Sequence, residues 1–432
     1  MHADWSNSMK ESLLNLQDQY KFPMGDLIHQ KNADAEVTFR MHNRRPDRMR
    51  IADYVSVEEL QAHYDSLLDL QFTPEELDWL RDQTDALGKQ RYRDSYLGYL
   101  ASFRLPAIHV YMDEQHNDIA AEVTAPWNES SLWEIPMLSQ LSELWYPRYL
   151  AANGIDPAAV WADGDRRLDD FIAKVNATPE FSFAEFGTRR RYSSDWQDHA
   201  VERFKNECPE HFLGTSNPHL ARKYGIAAIG TNAHELSMTY AALEESRGGN
   251  PLDGQNQVIA DWLERYPDMP VALIDTFTSD VTLHDMTQEQ LERVASYRID
   301  SGDEREVGAK VIAALEKAGI DPRTKTLFFS NSLSIDKALA LDKDFRQAGR
   351  IGAKFGIGGH SVNNMGDGNG NDIPSWNAVA KAVTVNGRGT VKLSDDSGKH
   401  MGESDDVDRY LRLARQRMAT PAAHSPELQE CA

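Results

Sequence analysis

Several short segments concentrate side chains able to do chemistry. Phe186-Gly187-Thr188-Arg189-Arg190-Arg191 brings an aromatic ring and three guanidinium groups together. Arginine forks suit carboxylate and phosphate oxygens, and a ring can stack on a flat heterocycle. Gly230-Thr231-Asn232-Ala233-His234-Glu235 puts His234 at the expected start of a helix. That end of a helix favours an anion, and a neutral imidazole there can act as a nucleophile. Arg298-Ile299-Asp300-Ser301-Gly302-Asp303 supplies a cation, carboxylates and a hydroxyl within one turn, and Asp275 and Asp280 add two more acids. Phe355-Gly356-Ile357-Gly358-Gly359-His360 and Gly214-Thr215-Ser216-Asn217 are glycine-bearing turns in which a phosphate can approach backbone N–H groups. Leu393 to Lys399 (LSDDSGK) is a turn with a lysine. Taken singly, each also has an ordinary structural reading: a solvated basic turn, a histidine in a helix cap, an Asp or Ser N-cap.

The elements that must position these segments are visible in the pattern of the chain. From about residue 180, short apolar runs are each followed by a polar or glycine-bearing turn and an amphipathic stretch. Such runs occur at 181–186, 226–230, 271–275, 297–300, 326–330 and 353–357. Strand-then-helix alternation predicts a parallel sheet, and loops leaving the C-terminal ends of strands build the site of a βα barrel. Before this, helical spacing at 57–70 and 73–80 and a strand-like run at 118–123 predict an α+β N-terminal domain. Residues 133–150 predict a buried connecting helix, with Pro136 limiting where it starts. The expected division is 1–130, an N-terminal α+β domain on which the C-terminal segment can pack; 131–362, the βα barrel; and 363–432, a glycine-rich loop, C-terminal strands and tail. The loop at 363–374 (NNMGDGNGNDIP) reads as a mobile insertion, and the tail after Met418 as prone to fray.

Composition bounds the rest. The chain has 432 residues, 41% of them hydrophobic, and a formal net charge of -22, which repels nucleic acid and anionic membranes. An anionic substrate therefore needs a local cluster of cations. Cys208 and Cys431 stand at unrelated positions and are read as free thiols. No apolar stretch is long enough to span a bilayer and the first residues lack a signal-peptide core, so the expected location is the cytoplasm.

Read together and in order, Asp18-Gln19-Tyr20-Lys21 and the FGTRRR, GTSN, GTNAHE, R-x-DSGD, FGIG and LSD-x-x-GK segments resemble the nicotinate phosphoribosyltransferase family, a group of type II phosphoribosyltransferases. The resemblance covers most of the chain. It implies an α/β fold, an irregular βα barrel with an α+β N-terminal domain, in homodimers whose active sites take residues from both subunits. It also implies a reaction in which nicotinate, phosphoribosyl pyrophosphate and ATP give nicotinate mononucleotide, pyrophosphate, ADP and phosphate, with Mg2+ required, in NAD biosynthesis. By that resemblance His234 matches a transiently phosphorylated histidine. Tyr20, from the partner subunit, and Phe186 match rings that sandwich the pyridine, while Thr231 and Arg298 match residues contacting nicotinate. Arg189, Gly358 and Gly359 match the phosphoribosyl and pyrophosphate end, and Asp300 matches a residue ordering the ribose or its magnesium. No metal-ligand set is assigned.

Three departures stand out. Ser330-Asn331 replaces the family's Ser-Asp, Gly359 replaces a threonine, and the glycine-rich insertion leaves either Asn364 or Asp372 at an aspartate position. Two other readings follow from them: a phosphoribosyltransferase for nicotinamide or another pyridine, or a silent nucleotide-binding homologue. The three arginines favour an acid over an amide.

Overall fold

The structure is a computed structural model and describes residues 12–375 and 377–424. The first residues, read above as lacking a signal peptide, and Cys431 lie outside the described residues. Two sheets organise the fold. One is five-stranded and antiparallel, made of β1 (Glu36–Asn43), β2 (His109–Asp113), β3 (Asp118–Pro126), β10 (Ala378–Val385) and β11 (Arg388–Gly389), in the order β11-β10-β1-β3-β2. The other is six-stranded and parallel, made of β4 (Phe183–Glu185), β5 (Phe212–Thr215), β6 (Val271–Leu273), β7 (Ser296–Ile299), β8 (Thr326–Phe329) and β9 (Gly352–Ile357), in the order β5-β4-β9-β8-β7-β6. Among the described residues no ladder joins β5 to β6, so the barrel is irregular in hydrogen bonding.

The parallel strands are short and largely buried. β4 is buried throughout. Phe355 stacks on Phe181 at 5.1 Å between ring centroids and on Phe329 at 5.6 Å. The run 226–230, expected to be a strand, makes only a single parallel bridge from Ala228 to Thr215. Most of its residues are half-exposed, so too little apolar area is buried there to extend a ladder. The early helices start where sequence places them: Ser56 and Thr73 cap Val57–Asp65 and Pro74–Arg81 through capping boxes with Glu59 and Glu76. The first of these stops at Asp65 rather than reaching Leu70. The connecting helix Glu134–Asn153 is buried along most of its length and ends at Gly154 in the left-handed region, φ 63°.

The C-terminal segment returns to the N-terminal sheet. β10 runs antiparallel to β1 from Val37 opposite Val385 to Asn43 opposite Ala378. Beyond it, the helix Ser404–Met418 packs Tyr410 against Phe277. The tail expected to fray is held as far as His424, because the Ala423 N–H donates to the His284 carbonyl at 2.9 Å and the His424 side chain is buried. Among the described residues no helix is long and apolar enough to cross a membrane.

The N-terminal segment is stitched to the barrel loops. Gln19 N–H donates to the Ser216 carbonyl at 2.7 Å, and the Ser216 hydroxyl donates to Asp18 at 2.6 Å. Gly230 comes so close to Tyr20 that a Cβ on it would stand 2.6 Å from the Tyr20 nitrogen. Lys21, fully buried, bridges Glu134 at 2.7 Å and Glu235 at 2.6 Å. The two carboxylates raise its pKa against the opposing effect of burial. Removing one partner of a buried ion network leaves uncompensated charge, which typically costs about 3–5 kcal/mol. Lys21→Met should therefore destabilise the fold by about that amount in denaturant unfolding. A loss below about 1 kcal/mol would mean that this network does not hold the N-terminal segment to the barrel.

Candidate active site

A cleft of about 770 Å³ lies at the C-terminal ends of the parallel strands and is walled on the other side by the N-terminal sheet. β4 leads into Phe186, Arg189 and Arg190, β7 presents Arg298 and leads into Asp300, β8 leads into Ser330 and Asn331, and β9 into Gly358 and Gly359. The opposite wall comes from the turn after β1, with Arg44, Arg45 and Arg48, and from Lys381 on β10. Lys392 and Lys399 arrive on the segment after β11. Among the described residues, nine Lys and Arg side chains thus line the cleft against two carboxylates, Glu134 and Asp300, in a chain whose net charge is -22. Such a concentration focuses potential for a polyanion.

His234 is the first residue of the helix His234–Ser246 and is almost wholly buried. Its Nδ1 lies 3.0 Å from the Thr276 hydroxyl and its Nε2 lies 3.2 Å from Asp300 Oδ2. Burial, reinforced by Lys392, pushes the imidazole down to about 4 against the pull of Asp275 and Asp300. The ring is therefore neutral at pH 7 and keeps one nitrogen lone pair. Burial disfavours the charged form of Asp300, but Arg298, His234 and Lys392 outweigh it and hold the carboxyl well below its usual range. An ionised Asp300 accepts from Nε2–H, which leaves Nδ1 to accept from Thr276. Asp275 lies beneath this pair, 3.9 Å from His234 Nε2, and accepts a hydrogen bond from Ser301.

Arg298 donates from Nε to Ser330 at 3.0 Å and from Nη1 to the Asn232 carbonyl at 2.7 Å, and its Nη2 reaches Asp300 at 3.4 Å. Of the five N–H donors of a guanidinium, three are used and two remain, one on each terminal nitrogen. That pair suits a carboxylate. Phe186 lies against Phe328 with centroids 5.4 Å apart, and a Cβ on Gly356 would stand 2.6 Å from the Phe186 ring, so only glycine lets the ring occupy that place. Lys381 is pushed down to about 8 by burial, with Arg189 and Lys392 adding to it and Glu134 opposing.

Among the residues expected at the site, Phe186, Arg189, His234, Arg298, Asp300, Gly358 and Gly359 line the cleft. Tyr20 and Thr231 do not. Tyr20 is buried behind the wall of its own chain, its hydroxyl donating to Glu134 at 3.0 Å. Asp280 points away and pairs with Lys310 at 2.8 Å on the surface. Asn364 and Asp372 turn out to share one partner: Arg167 holds them at 2.9 and 2.7 Å, with Asn364 at the cleft and Asp372 exposed. Arg190 joins the cleft as part of the three-arginine segment, whereas the N-terminal arginines, Glu134, Lys381 and Lys392 were not expected there. The run His42-Asn43-Arg44-Arg45-Pro46-Asp47-Arg48 was the available signal for the first group.

Among the described residues no cluster of three or more carboxylate, histidine or cysteine side chains is arranged to hold a metal. Glu134 is occupied by Lys21, Arg189 and Lys381, while Asp300 is engaged by Arg298, His234 and Ser330. Magnesium commonly keeps several waters and binds through one or two carboxylates together with substrate phosphates. It fits this cleft only in that way, with Asp300 as the carboxylate on hand.

Comparison with known proteins places this geometry. The model of the nicotinate phosphoribosyltransferase family matches residues 181–419, and that of the N-terminal domain of the same family matches residues 16–142. A nicotinate phosphoribosyltransferase of Chromobacterium violaceum is 35% identical over 407 residues, covering 91% of this chain and 94% of the relative. One from Proteus mirabilis is 33% identical over 404 residues, covering 92% and 94%. The crystal structure of a nicotinate phosphoribosyltransferase from Porphyromonas gingivalis superposes with a TM-score of 0.81 at 27% identity, covering 94% of this chain and all of that one. Sequence matches that span both the antiparallel and the parallel sheet, and a solved fold of the same shape, make this chain a member of the nicotinate phosphoribosyltransferase family.

Proposed function

We propose that the chain joins nicotinate to phosphoribosyl pyrophosphate, releasing pyrophosphate and nicotinate mononucleotide for NAD biosynthesis, and that ATP is consumed through a phosphohistidine at His234. The observation that carries the reading is a neutral, buried imidazole opening onto a cleft lined by nine cations. In this reading the pyridine nitrogen attacks the ribose carbon as its bond to pyrophosphate breaks. Positive charge grows on the sugar in the transition state, and an ionised Asp300 beside it is favourable. The pyridine lies by Phe186 with its carboxylate on the two remaining donors of Arg298. Arg189, Lys381 and the backbone at Gly358 and Gly359 take the phosphates; magnesium, when bound, would be held by those phosphates with Asp300 and would supply charge neutralisation for the leaving pyrophosphate. The working form is a homodimer by the same resemblance, in the cytoplasm.

His234 attacks the γ-phosphorus of ATP, the bond to the bridging oxygen breaks, ADP leaves, and the imidazole proton is released to solvent. Hydrolysis of the phosphohistidine regenerates the free ring. Incubation with ATP labelled in the γ-phosphate should place acid-labile label on the chain, and His234→Ala should abolish it. Label on the His234→Ala variant would sink the phosphohistidine assignment.

Arg298→Met should raise the KM for nicotinate by about 10- to 100-fold, as expected for lost hydrogen bonds to a charged group, with a smaller effect on the donor. Equal effects on both substrates would remove Arg298 from the carboxylate site. Preferred turnover of nicotinamide by the unaltered chain would shift the assignment to an amide enzyme.

Lys381 keeps its charge below about 8 and loses it above. The KM for phosphoribosyl pyrophosphate should therefore rise as pH passes about 8, and Lys381→Arg, which stays charged, should remove that limb. A limb left in place by Lys381→Arg would assign the titration to another group.

A further inference from the structure

At the mouth of the cleft, a neutral side chain sits between a cation and a carboxylate. Asn331 follows β8 and is nearly buried. Its Oδ1 accepts from Lys399 Nζ at 3.0 Å. Its Nδ2 donates to Glu304 Oε1 at 3.0 Å and to the Gly302 carbonyl at 3.3 Å. Glu304 is itself buried at the start of the helix Glu304–Lys317 and takes Lys337 at 2.5 Å. The orientation of the amide is thus set from both ends: one face must accept from an ammonium and the other must donate to a carboxylate.

An aspartate cannot do both. It has no donor for Glu304, so two carboxylates would face each other, and it would form an ion pair with Lys399. Asparagine instead holds Lys399 by an ion–dipole bond that adds no opposing charge. Asp396 makes a longer ion pair with Lys399 at 3.8 Å, beyond hydrogen-bond reach. The next residue, Ser332, lines the cleft with φ of 45°, in the left-handed region that a serine seldom occupies. Such backbone persists where surrounding contacts over-determine it, and the preceding Asn331 side chain is fixed by three hydrogen bonds.

We propose that Asn331 is a positioning residue that holds Lys399 toward the cleft without adding a carboxylate of its own, so that the ammonium, paired only loosely at 3.8 Å with Asp396, stays available to the phosphates of the donor. This rests on the phosphoribosyl-donor reading above. The chain therefore has a neutral hydrogen-bonding group where the family resemblance leads one to expect a carboxylate, and gains effective positive charge at the mouth of the cleft.

The test is calorimetric binding of pyrophosphate to the full chain and three sets of variants, with thermal unfolding as a check on folding. Asn331→Asp should weaken pyrophosphate binding by about tenfold at low salt, less at high salt, because the lost interaction is between partly exposed charges. In a Lys399→Met background, Asn and Asp at 331 should bind alike within about twofold, since the cation through which Asn331 acts is gone. The double variant Asn331→Asp with Glu304→Gln restores a donor for the aspartate while leaving Lys399 paired, so the loss should persist. Unchanged affinity in Asn331→Asp, a loss that survives in the Lys399→Met background, or recovery in the Glu304→Gln double variant would each overturn the inference. Absence of pyrophosphate binding by the unaltered chain would overturn the donor-site reading and the inference with it.

Discussion

The carboxylate of Glu134 is buried at the first turn of the connecting helix and is met by cations and donors from three distant parts of the chain. Tyr20 and Lys21 come from the N-terminal segment, Arg189 from the loop after β4, and Lys381 from β10. A buried carboxylate without partners is expensive, so each of these segments must be in place for the others to be. Burial alone would push Glu134 up, but Lys21, Lys381 and Arg189 hold it far below its usual range. One ionised group thereby fastens the N-terminal domain, the barrel and the returning C-terminal strand around the same cleft.

That arrangement separates charge on the scale of the molecule. Acidic residues dominate the chain as a whole, while cations crowd one concave surface. Crowding has a consequence for the groups in the cleft. Lys392 helps burial keep His234 neutral, Arg189 and Lys392 help lower Lys381, and Arg298 keeps Asp300 ionised. The same field that attracts phosphates also sets the protonation states their chemistry needs. Asn331 belongs to this logic, because a neutral side chain holds Lys399 without subtracting from the positive charge.

Much of this was legible beforehand where a local rule applied. Capping boxes at Ser56 and Thr73 marked two helix starts, and apolar runs followed by polar or glycine-bearing turns marked five of the parallel strands. Seven of the nine expected site residues line the cleft, six carried there by strand ends and His234 by the start of a helix. A local rule failed at 226–230, where an apolar run lacked cover.

The order of elements, the residue types at each strand end and the family of the chain were properties of the sequence alone, since periodicity, turn chemistry and motif order need no partner in space. Tertiary structure decided the second wall of the site. Lys381 reaches the cleft only because β10 crosses more than 330 residues of chain to pair with β1, and Arg44, Arg45 and Arg48 only because β1 ends beside it. The same holds for the protonation of His234. An isolated histidine titrates near 6.5, and only burial beside Lys392 brings it down to about 4. Long-range pairing and desolvation are properties of the packed chain, and no window of sequence contains them.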